Sequence, residues 1–467
     1  MAVLSASGRR FETEVPVLII GAGACGLCAA LAAHGQGADV LVVERDPTPS
    51  GSTALSSGLI PAAGTKLQRR HGVEDTPAQL AEEILAKAKY QTDAAMVLTI
   101  AKASARTVDW IMDDLGVKLE LLTSFLYPGH QRHRMHGPPN RTGAELEGGL
   151  LAAVERRGLD LVPGATAVDL YVEDDERVRG IAIQRPDGRR EDIGCAALVL
   201  ACSGFGGNAD MVREYIPAIK EAMYFGHVGN KGDAVRWGLA LGAAVADMAS
   251  YQGHGAVAHP HGIPMWDTIT VGGYQVNLRG ERFSNEESGY SEQALEVLRQ
   301  PDHVVWNIYD ERGHAIGSES IEYRRGVELG AVRRAESVSD LARVTGLPSA
   351  ALAATIAEVE AMAAGTKSDR FGRDFTLKPA LKPPYYAVKV TGAVFHTQGG
   401  LVVDERARVR RRDGRPLPNL FAGGGAARGL SGPADWGYFS GSGLMMATNL
   451  GRLAGEAAAA LAGRSGR

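Results

Sequence analysis

The chain has 467 residues, 45% hydrophobic and 22% charged, enough for two or three domains with a sizeable core and unlike a disordered or fibrous protein. A formal net charge of −4 gives no electrostatic reason to expect nucleic acid or an anionic membrane as partner. Four cysteines (Cys25, Cys28, Cys195, Cys202) are too few for a disulfide framework and fit the reducing cytoplasm, which is the expected compartment.

The paired Arg9-Arg10 is followed by only six apolar residues, "VPVLII" (15–20), which run straight into glycines. That stretch reads as a buried strand rather than the core of an export signal, and no segment reaches the length of a membrane-spanning helix. "GAGACG" (21–26) is then a turn, "LCAALAAHG" an alanine-rich helix, and "ADVLVVERD" (38–46) a second buried strand. Gly21, Gly23 and Gly26 thus form G-x-G-x-x-G in its proper setting, with Ala24 and Cys25 inside the turn. The glycines allow the tight turn, the approach of a pyrophosphate to the helix N-terminus, and helix-on-strand packing. Glu44 ends the second strand, 18 residues after Gly26, where it can accept from ribose hydroxyls, and Arg45 follows it. The unit specifies a dinucleotide without choosing between NAD and FAD. Cys25 and Cys28 form a lone C-x-x-C, for which helix packing is preferred over redox or metal use.

A helical region is expected from about Pro77 to Gly116. In "GHQRHRMHG", His130, His133 and His136 stand three apart without a carboxylate or cysteine among them, so a loop at a pocket mouth is preferred and no metal site is expected. Residues 164–208 alternate apolar and polar, break at "PDG", and read as a β-meander ending in the buried strand "ALVLACSG". From about 253 to 384 the texture changes to more charge and aromatic content, with a helix at "SAALAATIAEVEAMAAG"; this is the expected inserted domain. Residues 399–425 form a hairpin with a D-G turn, and the arginines 408–412 flank that turn as solvated side chains. The flanking parts, 1–252 and 385–467, are expected to fold together.

Three further features select FAD. "GSTALSSGLI" (51–60) brings Ser52, Thr53, Ser57 and Gly58; "ACSGFGGN" brings Ser203, Gly204 and Asn208; "LFAGGG" and "SGSGL" bring Gly424, Gly441, Ser442, Gly443 and Leu444. A flavin dinucleotide needs close backbone contact along its whole length, so distant glycine loops must converge on it. Ala167 and Asp233 complete the expected cofactor contacts. A helix starting near Ser442 would direct its N-terminal dipole at the flavin.

From "VLIIGAGACGLCAALAA" to "SGSGLMMATNLGRLAG" the chain resembles the flavoprotein family of succinate dehydrogenases, fumarate reductases and 3-ketosteroid dehydrogenases. The resemblance implies an α/β fold: a Rossmann-like FAD-binding domain of glutathione-reductase type with an inserted α+β capping domain, and substrate held between cap and flavin. No counterpart of the flavin-linking histidine occurs in "GSTALSSG", so non-covalent FAD is expected.

In the fumarate reductase branch an arginine follows the motif G-x-R-F-x-N-E; in "GERFSNEESGY" that place falls to Tyr290, and the arginine expected within "WGYFSGSG" is also missing. Arginine is the natural fork for carboxylates, so the loss of both argues against a dicarboxylate substrate. The ketosteroid dehydrogenase branch instead has a tyrosine at the place of Tyr290 and a Tyr-x-Ser at the place of Tyr438 and Ser440. The resemblance implies that Tyr438 and nearby backbone N–H groups hold a carbonyl while Tyr290, with Ser440, handles a proton; exchanged roles remain open. His254 in "YQGHG" and His396 in "FHTQGG" match substrate-pocket positions. The expected activity is flavin-dependent α,β-dehydrogenation of a cyclic ketone or 3-ketosteroid with an unknown electron acceptor. The alternative is reduction of a conjugated acid or enone, with Arg132, Arg134 or Arg279 as the cation. A flavin-binding subunit without turnover is a third reading, disfavoured by the paired phenols.

Overall fold

The computed structural model describes residues 2–465. Among them a nine-stranded sheet carries a parallel core of Pro416–Ala422, Arg190–Leu200, Thr13–Ile20, Val40–Val43 and Asp160–Val162, paired in that order. These strands read as apolar runs because both faces are covered, and register sets Leu18 beside Leu41 on one side and Leu198 on the other. The strand Arg190–Leu200 also closes the expected antiparallel meander with Thr166–Val172 and Val178–Gln184.

The alanine-rich helix Ala24–Gly35 packs against the C-terminal helix Ser442–Ser465. Gly451 and Gly455 make that approach possible: a Cβ on them would lie 2.3 Å from the Cys25 carbonyl oxygen and 2.1 Å from that of Ala29. Cys25 and Cys28 are both buried on this helix, and burial pushes the Cys28 thiol up to about 12. Such thiols are inert packing groups.

A seven-stranded sheet forms a second layer around the strand Tyr385–Thr397, which pairs with Tyr251–Ala258, Val304–Asp310 and Val332–Ala335. The expected domain limits fall inside Tyr251–Ala258 and at the first residue of Tyr385–Thr397, so the chain passes between layers within this sheet. The helix Ser349–Ala363 lies where the sequence placed it. A shorter helix, Tyr290–Leu298, rests on Tyr251–Ala258, where a Cβ on Gly253 would come within 2.6 Å of the Ser291 carbonyl oxygen. That contact sets the height of Tyr290 above the sheet. Of the hairpin arginines, Arg408 is held locally by Asp404 (2.7 Å) and Arg411 by Glu176 of the meander. Among the described residues no helix is long and apolar enough to cross a membrane.

Candidate active site: one cavity for dinucleotide and substrate

A single cavity runs from the carboxyl ends of the parallel strands to the second sheet, the position where open α/β sheets bind ligands. At its first end Gly21 has φ +104°, and a Cβ there would lie 2.6 Å from the Ala201 carbonyl oxygen; one on Gly26 would lie 1.8 Å from that of Gly21. Gly23, Ala24 and Cys25 line the cavity above this turn. The Ala24 N–H, at the start of the helix, donates to Thr53 Oγ1 (2.9 Å). Glu44 is fixed by two backbone donors, Ala22 N–H to Oε2 (2.8 Å) and Asp46 N–H to Oε1 (2.9 Å). Its carboxylate keeps lone pairs for a ribose.

Arg45 donates to the Gly229 carbonyl (2.6 Å), and Ser52 Oγ accepts from Asn230 Nδ2 (2.8 Å). Thr53, Ser57, Ala167, Ser203, Asp233, Gly424, Gly441, Gly443 and Leu444 continue the wall, whereas Gly26, Gly58, Gly204 and Ser442 stand behind it as spacers. Burial raises the Asp233 carboxyl, and its Oδ1 has no hydrogen-bond partner. Asn208 differs from expectation: it does not line the cavity. Its Oδ1 caps the helix Ala209–Tyr215 by accepting from the Asp210 and Met211 N–H groups (3.2 and 3.3 Å). A glycine cradle, an anchored ribose acid and an orphaned buried carboxylate along one cavity fit FAD.

At the other end Tyr290 opens its helix and lies 6.0 Å, ring to ring, from Tyr438; they are 8% and 5% exposed. Desolvation pushes the Tyr290 phenol well above 10, reinforced by Tyr438 and partly opposed by a hydrogen bond with Ser440. Desolvation also pushes Tyr438 up to about 12, partly opposed by the Gly443 N–H. Ser440 lies behind the wall, its hydroxyl donating to the Pro128 carbonyl (2.9 Å).

His254 stacks between Phe395 (4.8 Å) and Tyr290 (5.3 Å). Burial lowers it to about 3, so it is neutral, and its Nδ1 accepts from the Ala256 N–H (3.2 Å), which leaves the proton on Nε2. Desolvation lowers His396 to about 4, and Gln398 Nε2 donates to its Nδ1 (2.9 Å). Both histidines line the cavity as neutral donors.

The charges around Tyr290 are structural. Arg282 binds Glu286 (2.8 Å) and Asp369 (2.7 Å), and Arg373 binds Glu286 (3.0 Å), all buried. This network fixes the loop that delivers Tyr290. The candidate cations do not reach the cavity: Arg134 is buried against Asp75 (2.6 Å) and Glu83, Arg279 pairs with Glu281 (3.0 Å), and Arg132 is exposed. Among the described residues no lysine lines the cavity and Arg45 is its only arginine. His130 donates to the Ser440 carbonyl (3.0 Å) and His136 Nε2 bonds Thr65 (2.8 Å); no described cluster could hold a metal ion. Trp266, Phe225, Phe395, Tyr127, Asp267 and Glu322 also line the cavity. They are isolated residues without a motif, and no sequence signal singled them out.

Comparison with known proteins agrees with this architecture. Residues 16–438 match the family described as "FAD binding domain". The chain is 31% identical to a probable fumarate reductase, Ifc3, of Shewanella frigidimarina, over 95% of this chain and 74% of that protein. The structure of the open conformation of a flavocytochrome c3 fumarate reductase superposes with a TM-score of 0.79 at 30% identity, covering 98% of this chain and 80% of that one. The 3-ketosteroid-Δ4-(5α)-dehydrogenase of Rhodococcus jostii RHA1, solved with 4-androstene-3,17-dione, superposes at 0.78 with 25% identity, covering 98% of this chain and all of the other.

Proposed function

The chain belongs to the FAD binding domain family, and within it we propose an oxidoreductase that interconverts a cyclic ketone and its α,β-unsaturated form. The observation that carries this reading is the pair of buried phenols, Tyr290 and Tyr438, in the FAD cavity with no arginine beside them. Bound FAD supplies the two-electron donor or acceptor for the β carbon. Tyr438, whose own oxygen is supported by the Gly443 N–H, donates to the carbonyl oxygen and stabilises the enolate. Tyr290, hydrogen-bonded with Ser440, exchanges a proton with the α carbon. The aromatic walls of Trp266, Phe225 and Phe395 exclude water and accommodate a flat ring system.

Both phenols are held protonated, which suits reduction of an enone, where each role is a donation. Desaturation requires one phenolate and so gains as pH rises. The likeness to a ketosteroid dehydrogenase structure and the Tyr-x-Ser at Tyr438 and Ser440 support a ketone; the relatives named as fumarate reductases support the reductive direction. Reduction of a conjugated acid is the second reading, favoured by those relatives and opposed by the missing cation.

The test is anaerobic. Chemically reduced holoenzyme is mixed with cyclic enones, 3-ketosteroids and fumarate, and flavin reoxidation is followed by absorbance. Rapid reoxidation by an enone supports the proposal; reoxidation by fumarate alone refutes it in favour of the second reading.

A further inference from the structure

The cavity has a hydrogen-bonding polarity along its length. One end holds donors: the phenols of Tyr290 and Tyr438 and the Nε2–H of His254, a residue 5% exposed whose Nε2 has no hydrogen-bond partner among the described residues. Next to Trp266, whose ring lies 5.8 Å from that of Tyr290, the lining includes acceptors. Asp267 opens a one-turn helix after Trp266, and Glu322 lies in the first turn of the helix Ile321–Glu328, whose cap Ser320 accepts the Glu322 N–H (3.2 Å) and also lines the cavity. Neither the Asp267 nor the Glu322 carboxylate has a hydrogen-bond or ion-pair partner among the described residues. The two repel each other, each being ionised less readily because of burial. The nearest cation, Arg141, is already paired with Glu319 (2.9 Å), which also accepts from the Ser124 hydroxyl (2.8 Å). Both residues are only partly exposed, and a cationic ligand would offset the desolvation of their unpartnered carboxylates.

We propose that Asp267, assisted by Glu322, is a specificity subsite for a protonated nitrogen on the substrate, at the end remote from the carbonyl held by Tyr438. The substrate is then an amino-substituted cyclic ketone or enone, carbonyl inward and ammonium outward. This rests on the ketone reading of the inner end, but its test does not depend on turnover. A carboxylate at the same place would face Asp267 and Glu322, which is a second ground against a dicarboxylate substrate.

The experiment titrates FAD-loaded protein with a matched set of cyclic enones bearing a remote ammonium, hydroxyl, methyl or carboxylate group. The perturbation of the flavin absorption spectrum reports Kd. The ammonium ligand is expected to bind roughly tenfold or more tightly than the methyl one, because a hydrogen bond to a charged partner is of that order. Asp267→Asn should remove the preference for ammonium over methyl, and Glu322→Gln should reduce it partly. Equal affinity for ammonium and methyl, tighter binding of hydroxyl than of ammonium, or a preference that survives Asp267→Asn overturns the proposal. If the preference holds but no ketone or enone turns over, the subsite stands and the reaction assignment fails.

Discussion

Replacing Tyr290 by phenylalanine removes one hydroxyl and keeps the ring that packs against His254, Trp266 and Tyr438 at 5.3, 5.8 and 6.0 Å. The phenol is buried and held protonated by desolvation, so its proton is in place for donation and its phenolate is scarcely populated near neutral pH. A positioned general acid contributes about 10²–10⁴ in rate, or about 2.7–5.5 kcal/mol at about 1.36 kcal/mol per decade. The structural loss is smaller: one neutral hydrogen bond with Ser440, worth about 0.5–1.5 kcal/mol. In Tyr290→Phe the first-order rate of flavin reoxidation at saturating enone should fall by about 10²–10⁴, with Tm lowered by a few degrees at most and FAD content per chain unchanged. Stopped-flow absorbance measures the rate, and a denatured-flavin spectrum measures the content. A fall of less than about tenfold, with FAD retained, means that the proton comes from elsewhere and refutes the assignment.

The pH profile follows from the sign of the shifts. Both phenols stay protonated to well above neutrality, Tyr438 up to about 12, so enone reduction should be flat from pH 6 to 9 while ketone desaturation rises about tenfold per pH unit over that range; a desaturation rate independent of pH contradicts a tyrosine base. Gly26→Ala, whose Cβ would meet the Gly21 carbonyl at 1.8 Å, should yield protein purified without FAD and not reloaded by dialysis against it. Arg134→Met leaves Asp75 and Glu83 buried without a counter-ion and should cost about 3–5 kcal/mol in a denaturant titration, yet leave ligand Kd values unchanged in the folded fraction because Arg134 does not line the cavity.

What could be read from the sequence was what is encoded locally. The turn at Gly21–Gly26 lies between a strand and a helix that are contiguous in the chain; Gly26 answers to a contact within that unit, Gly21 to the adjacent strand end at Ala201, and Gly23 to Thr53. The phenol pair was visible because each tyrosine adjoins a recognisable run, Tyr290 after "GERFSNEESG" and Tyr438 before "SGSG". The charged run before Tyr290 was harder. Arg282 and Glu286 are i, i+4 neighbours, but their partners Asp369 and Arg373 lie far along the chain, so their burial could not be read from spacing. Asn208 illustrates a competition that polarity alone does not settle, since an asparagine before a helix is drawn to cap it. The strand Tyr385–Thr397 belongs to the second sheet by its pairing, and its own alternation says nothing of which sheet that is.

The cavity's charge bears on the direction of the chemistry as well as on the substrate. A tyrosine acts as a base only if something stabilises its phenolate, and cations or helix N-termini are the usual means. Here the Gly443 N–H is the stabilising group beside Tyr438, while Tyr290 has Tyr438 as an opposing neighbour. Asp267 and Glu322 add negative charge to the same cavity, and Arg141, which could offset it, is committed to Glu319. A bound ammonium at Asp267 would change this balance. It would bring a positive charge into the cavity, ease ionisation of the nearer phenol, and so promote desaturation for the same substrates that the acidic wall selects. Substrate recognition and direction are then coupled through one electrostatic field. The two measurements on this chain should therefore move together: in Asp267→Asn, loss of ammonium preference should be accompanied by loss of any advantage that amino-substituted ketones show in desaturation rate at neutral pH.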